Sequence, residues 1–229
     1  MHHVIQKAQA WVVWVCLGLV VCLALAGCAS HPALAFQATS STIPFQLTRW
    51  PFDYVRVGDL PPAADVFSGG WAVRVEAGAP SPPNALCQTG IADYPALTLS
   101  NSVYSDLSLS AQVKPISGFI DRAAGLILRD QDHGNYYVLR ADALQKNVIL
   151  FKYAGGKRST IKEGPAPVAV GTWQVLRVDA VGTHLRGFLN EQLVVDATDA
   201  TYPAGKIGLW TKADSVTCFD NVVVSQAPP

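Results

Sequence analysis

AAGLILRDQDHGNYYVLRADALQKNVILFK, residues 123–152, holds three apolar runs separated by two polar interruptions. The runs are short, rich in Leu, Ile, Val and Tyr, and none keeps a 3.6-residue apolar period. Asp132, His133, Gly134 and Asn135 supply turn chemistry between the first two runs, because Asp and Asn bond their own backbone and Gly accepts a positive φ. The stretch therefore reads as three antiparallel strands, 123–130, 135–141 and 147–153, joined by hairpins.

The same signature extends in both directions. Strands are expected near 71–76, 85–89, 96–100 and 106–113 on the N-terminal side, and near 173–181, 184–190, 192–196, 206–211 and 216–224 on the C-terminal side. Gly155 with Gly156, and Asn190 with Glu191, read as further hairpin turns. Residues 49–70 are broken by Pro51, Pro61, Pro62 and Gly69, which leaves room only for short extended pieces. No window of helical length is amphipathic, so the fold class is all-β, a sandwich or barrel with very little helix. A core of this size suits a single domain over 44–229.

Ahead of that domain, His2, His3 and Lys7 precede an apolar run from Ala8 to Ala26 that closes on Leu25, Ala26, Gly27 and Cys28. Charge, then apolar core, then small residues before a cysteine is the order of a bacterial lipoprotein signal, with Cys28 the lipidated residue. Residues 1–28 are expected to be the signal and 29–43, small and polar, a flexible tether. The expected localisation is the cell envelope, lipid-anchored to its membrane. Ala29, with no Asp there to signal retention, favours the outer membrane. Two other readings stay open: an uncleaved membrane helix, and ordinary cleavage near Ala33, Leu34 and Ala35 that releases a soluble secreted or periplasmic protein.

Lipidation consumes Cys28, and Cys16 and Cys22 leave with the signal. Cys87 and Cys218 then remain in an oxidising compartment, where a disulfide between them is expected; two separately buried thiols are the alternative. Seventeen basic and seventeen acidic residues balance to zero net charge without a Lys or Arg run, so the phosphate neutralisation that nucleic-acid binding requires is absent. A monomer is expected. His133 and His184 stand alone, without metal-ligand spacing, and no cofactor is required by any motif. The oxygen donors of Asp130 to Asn135 leave a Ca2+ ion conceivable there, but the rest of a hand-type loop is missing and a polar turn is the plainer reading. Gly155 to Ser159 lacks the spacing of a phosphate loop.

The 123–152 stretch, together with GLWTKADSVTCFDNVVV at 208–224, WAV at Trp71 and TWQVLRV at Thr172, resembles a family of bacterial envelope proteins carrying the 3-keto-disaccharide hydrolase domain, also labelled family 16 glycoside hydrolase-like. The resemblance covers about Trp50 to Ser225. It implies a concanavalin A-like jelly roll, two curved antiparallel sheets whose concave side often holds carbohydrate. That fold hosts lectins, glucanases and structural modules alike, so activity must be argued from the site.

Glycosidases of the usual kinds need two carboxyl groups flanking the scissile bond. Family 16 enzymes place theirs as Glu-x-Asp-x-Glu on one strand, a pattern absent from this chain, whose glutamates are Glu76, Glu163 and Glu191. Whether the protein is an enzyme is thus left open, with Asp121, Asp130, Asp132, Asp214 and Asp220 as acidic candidates against a plain role in turns and strand ends. Period-two reading separates Arg129, Arg140, Lys152, Trp210 and Lys212 from their apolar neighbours. These five are the candidate ligand-binding residues of one concave face, the alternative being a solvated outer face with snorkelling stems. The leading expectation is a lectin-like domain that binds a glycan; a hydrolase of (3-keto) disaccharides and a structural or protein-docking module are the alternatives.

Overall fold

The structure is a computed structural model that describes residues 47–227; the expected signal, Cys28 and the tether lie outside the described residues. Those residues belong to one compact unit, Ile43–Pro229. In chain order the strands are β1 (Thr48–Trp50), β2 (Asp65–Ser68), β3 (Trp71–Val75), β4 (Asn84–Gln88), β5 (Ala96–Thr98), β6 (Leu107–Ser117), β7 (Ala123–Asp132) and β8 (Asn135–Asp142). They continue with β9 (Asn147–Ala154), β10 (Lys157–Pro165), β11 (Gln174–Val181), β12 (His184–Leu189), β13 (Gln192–Thr198), β14 (Lys206–Trp210) and β15 (Val216–Ser225).

The strands form two antiparallel sheets, the jelly-roll sandwich that the resemblance implies and one of the two architectures that the strand spacing allows. One runs β13-β12-β11-β6-β15-β4-β3, with β1 added against β15; the other runs β10-β9-β8-β7-β14-β5-β2. Each of the twelve runs read as strands is a strand. The three that were not read, β1, β2 and β10, are short or charged. β10, KRSTIKEGP, pairs with β9 alone and is largely exposed. Charge on an edge strand discourages pairing with another chain and also hides the strand from a reading based on apolar runs.

The main core lies between the sheets, where Leu109 and Val113 of β6, Leu176 and Val178 of β11 and Phe219 of β15 meet Leu126 and Leu128 of β7, Leu139 of β8 and Leu150 of β9. A second apolar cluster, Ala96, Ala123, Ile127, Tyr136, Val138, Ile149, Phe151, Tyr153 and Trp210, draws only on the seven-stranded sheet and so covers its outward face. A third and smaller cluster on the other sheet's outward face surrounds the Cys87–Cys218 disulfide, packed by Ala85, Ile116 and Trp173. The two cysteines face each other directly across β4 and β15, and the expected disulfide between them is formed.

Candidate functional site

The outward face of the seven-stranded sheet is organised in rows, because residues paired across strands point the same way. One row reads Ala96, Trp210, Gly125, Arg140, Ile149 and Glu163. The next reads Ile127, Val138, Phe151 and Thr160, and a third Tyr136, Tyr153 and Arg158. From Tyr136 to Arg140 along β8 the strip is about 13 Å long.

Trp210 is fully buried. A Cβ added to Gly125 would meet the Trp210 Cε3 and Val138 Cγ2 atoms at 3.1 Å each, so a glycine is what lets the indole lie flat on the sheet. Tyr94 covers the indole from outside, ring centroids 5.9 Å apart and 19° from parallel. The loop carrying Tyr94 is held on both sides: Ser68 Oγ donates to Tyr94 O at 2.7 Å, and Thr211 N donates to Pro95 O at 2.8 Å. Beyond Tyr94, Tyr136 and Tyr153 stack at 4.5 Å, and Phe67 stacks on His133 at 3.8 Å.

These rings enclose an open cavity of about 310 Å3 lined by Phe67, Ser68, Ala92, Asp93, Tyr94, His133, Tyr136, Tyr153 and Gly156. Burial pushes the Tyr136 and Tyr153 hydroxyls above the ordinary phenol range, so both stay protonated and can donate. Tyr136 stands near enough to Trp210 and Tyr153 to feel them, yet neither Trp210 Nε1 nor Tyr153 Oη completes a hydrogen bond. Arg158 lays its guanidinium 4.5 Å from the Phe151 ring centre and 5.1 Å from that of Tyr94.

At the other end of the strip the residues are charged. Arg140 Nη1 is 3.3 Å from Asp142 Oδ2 and 3.9 Å from Asp121 Oδ1, and its Nη2 donates to Asn147 Oδ1 at 2.6 Å and Gln145 Oε1 at 3.1 Å. Lys212 Nζ lies 2.6 Å from Asp121 Oδ2. Burial raises the Asp121 pKa against the pull of Lys212, and the neighbouring Asp142 raises it further. Burial lowers that of Arg140, with Asp142 and Asp121 opposing. Asn147 Nδ2 donates to Glu163 Oε1 at 2.6 Å.

Of the five residues expected on one face, Arg140 and Trp210 share it, and Lys212 joins them at its end through Asp121. Arg129 and Lys152 do not, and these placements correct the sequence expectation. Strand pairing between β7 and β8 slips between Leu128 and Asp132, and Arg129 has φ 52°, so the alternation counted from Ala124 ends before it reaches Arg129. Its buried side chain donates from Nε and Nη2 to Ser105 O at 3.0 and 2.9 Å, and from Nη1 to Tyr202 O at 3.1 Å. Lys152 stands opposite Tyr137, a residue of the inter-sheet core. Its Nζ is 2.6 Å from Asp199 Oδ2, while Tyr137 Oη donates to Asp199 Oδ1 at 2.6 Å. Although burial opposes its charge, the donors Lys152, Thr201 and Tyr137 hold the Asp199 carboxyl well below the usual carboxylate range.

The acidic candidates scatter. Asp132 accepts from Gly134 N and Asn135 Nδ2 within its own turn, and Gln131 turns to the Arg129 and Ala204 carbonyls, so the oxygens read as conceivable Ca2+ ligands do not converge. Asp214 accepts from the amides of Phe119, Ile120 and Asp121, and Asp220 from those of Ser81 and Asn221. Burial pushes the Asp130 carboxyl up to about 6, opposed by Lys206 and His133. Asp142, Tyr94, Tyr136, Phe151, Tyr153 and Arg158 were not singled out. The signal for Tyr136 was its even spacing from Arg140; Tyr94 and Arg158 arrive from a loop and an edge strand that no periodicity marks.

Residues 65–225 match the 3-keto-alpha-glucoside-1,2-lyase-like domain over most of the chain. The chain belongs to that family. A levanase of Bacillus subtilis (strain 168) is 29% identical over 158 residues, 68% of this chain but 21% of the levanase; the chain therefore spans about a fifth of that relative. Among solved structures, a carbohydrate binding module, CBM66, from Bacillus subtilis superposes with a TM-score of 0.61 at 26% identity, covering 72% of this chain and 96% of the module. A Bacillus licheniformis beta-glucanase superposes with a TM-score of 0.54 at 12% identity, over 82% of this chain and 100% of its own, a likeness of fold.

Proposed function

We propose that this domain is a lectin-like module that binds a glycan on the outward face of its seven-stranded sheet. The observation that carries the reading is the cavity between Phe67, Tyr94, Tyr136 and Tyr153, because sugar rings present apolar faces to aromatic side chains while their hydroxyls take hydrogen bonds from fixed polar groups. The relation to a carbohydrate binding module supports the same reading. The domain acts in the cell envelope, carried there by the lipid on Cys28; transfer of the protein from the membrane to the soluble fraction on Cys28→Ser tests that placement.

A second reading follows from the family: cleavage of a 3-keto glucoside or related disaccharide, with the Asp121, Arg140, Asp142 and Lys212 cluster acting at the far end of the same strip. Both are tested by proton NMR of the full chain with a panel of oligosaccharides and 3-keto disaccharides. Ligand line broadening that is lost in Tyr136→Ala and Tyr94→Ala variants supports the binding module. Growth of new anomeric or unsaturated-sugar signals makes the protein an enzyme. Silence across the panel overturns both and leaves a structural or protein-docking module.

A further inference from the structure

Among the described residues of this face, the buried side-chain atoms without a hydrogen-bond partner are Trp210 Nε1, Tyr153 Oη, Arg158 Nη1, Arg140 Nε, Thr98 Oγ1 and the two Asp121 oxygens, the last two held by ion pairs with Arg140 and Lys212. A buried polar atom left unpaired costs free energy comparable to a lost hydrogen bond, so each such atom calls for an explanation. Trp210, Arg158 and Arg140 offer N–H groups that can only donate, and Tyr153 is a phenol held protonated by burial. At the cavity edge, Arg158 Nη1 approaches Tyr153 Oη without closing a bond, and an acceptor is what would satisfy it.

Asp121 and Asp142 are engaged by Arg140 and Lys212, and Glu163 by Asn147. No carboxylate among the described residues forms an ion pair with Arg158, whose guanidinium is instead fixed over the rings of Phe151 and Tyr94. Stacking orients the planar fork without consuming its hydrogen-bonding edge. Asp93, the single acidic residue lining the cavity, is exposed to water, where its repulsion is screened.

We infer that the site takes an acidic sugar, its carboxylate received by Arg158 beside the cavity and its ring stacked on the tyrosines. The inference rests on the glycan-binding reading above and adds the ligand's charge. A carboxylate matches a guanidinium edge in a two-pronged geometry that a neutral hydroxymethyl group cannot reproduce.

Calorimetric titration of the full chain with matched pairs tests it: methyl β-glucuronide against methyl β-glucoside, and digalacturonate against galactobiose. The acidic member is expected to bind about tenfold tighter at low salt, the scale of one charge-assisted hydrogen bond, with the advantage shrinking as salt rises. Arg158→Gln, checked for folding by near-ultraviolet circular dichroism, should bring the ratio of acidic to neutral affinity to about one, whatever the neutral affinity becomes. Arg158→Lys should restore part of the advantage, since the charge remains while the fork is lost. Equal affinities, a preference for the neutral member, or a preference that survives Arg158→Gln overturns the acidic ligand while sparing the sugar-binding face. Absence of binding by every glycoside overturns both.

Discussion

The two outward faces of this sandwich differ in how their strands bury residues. On the eight-stranded sheet, β6 and β12 alternate buried and partly exposed positions, the pattern of an antiparallel sheet with one wet face. On the seven-stranded sheet, nearly every residue of β7, β8 and β9 is buried. Double burial is ordinary where helices cover a sheet, but none is present among the described residues. The cover is made by the sheet's own Trp210, Tyr136, Tyr153 and Phe151 with the loop that brings Tyr94. An antiparallel sheet that hides its outward face under aromatic rings, and leaves a cavity between them, has a surface organised for something other than exclusion of water.

The buried outward face depends most on Trp210. Trp210→Ala removes a fully buried indole from the outward face and is expected to cost about 3–5 kcal/mol, read by urea denaturation. A cost below about 1 kcal/mol would show that this face is wet, as on the other sheet. The counterpart on the eight-stranded sheet is the disulfide, which closes a sequence separation of 131 residues. Replacing Cys87 and Cys218 together by Ser is expected to cost about 2–5 kcal/mol while leaving glycan affinity unchanged. Loss of binding in a folded double variant would mean that the two faces are not independent.

The smallest effect has the opposite sign. Burial raises the Asp130 carboxyl to about 6, and its Oδ1 has no hydrogen-bond partner. The folded protein then holds this proton more tightly than the unfolded chain, so its contribution is most favourable below about pH 4 and is lost as pH rises through about 6. Asp130→Asn should raise stability at pH 7 by roughly 1–2 kcal/mol and flatten the slope between pH 4 and 6. A variant less stable than the parent at pH 7 would show that the charged carboxylate is paired better than its burial implies.

Much of the fold was legible in the residues. Runs such as AAGLILRD and NYYVLRAD, with Asp132, His133, Gly134 and Asn135 between them, specify a hairpin by local chemistry, and local chemistry is what a sequence displays directly. Less of the site was legible. The alternation of β9 correctly separates Ile149 and Phe151 from Lys152, yet it was the apolar pair that belonged outside, under Arg140 and Arg158, and the lysine that faced the inter-sheet side. When both faces of a strand are apolar, period two tells which residues stand together but not which set faces the core.

The all-β class, the twelve strand runs and the hairpin turns were fixed in the residues, because each depends on neighbours in the chain; the Cys87–Cys218 bond was expected there and is formed in the fold. Only the tertiary structure decided that Arg129 leaves the sheet face at the β7 bulge, that Gly125 makes room for Trp210, and that Tyr94 and Arg158 converge on the face from a loop and an edge strand. Those outcomes turn on register, bulges and cross-strand contact between residues far apart in sequence, and a one-residue change in register reverses them.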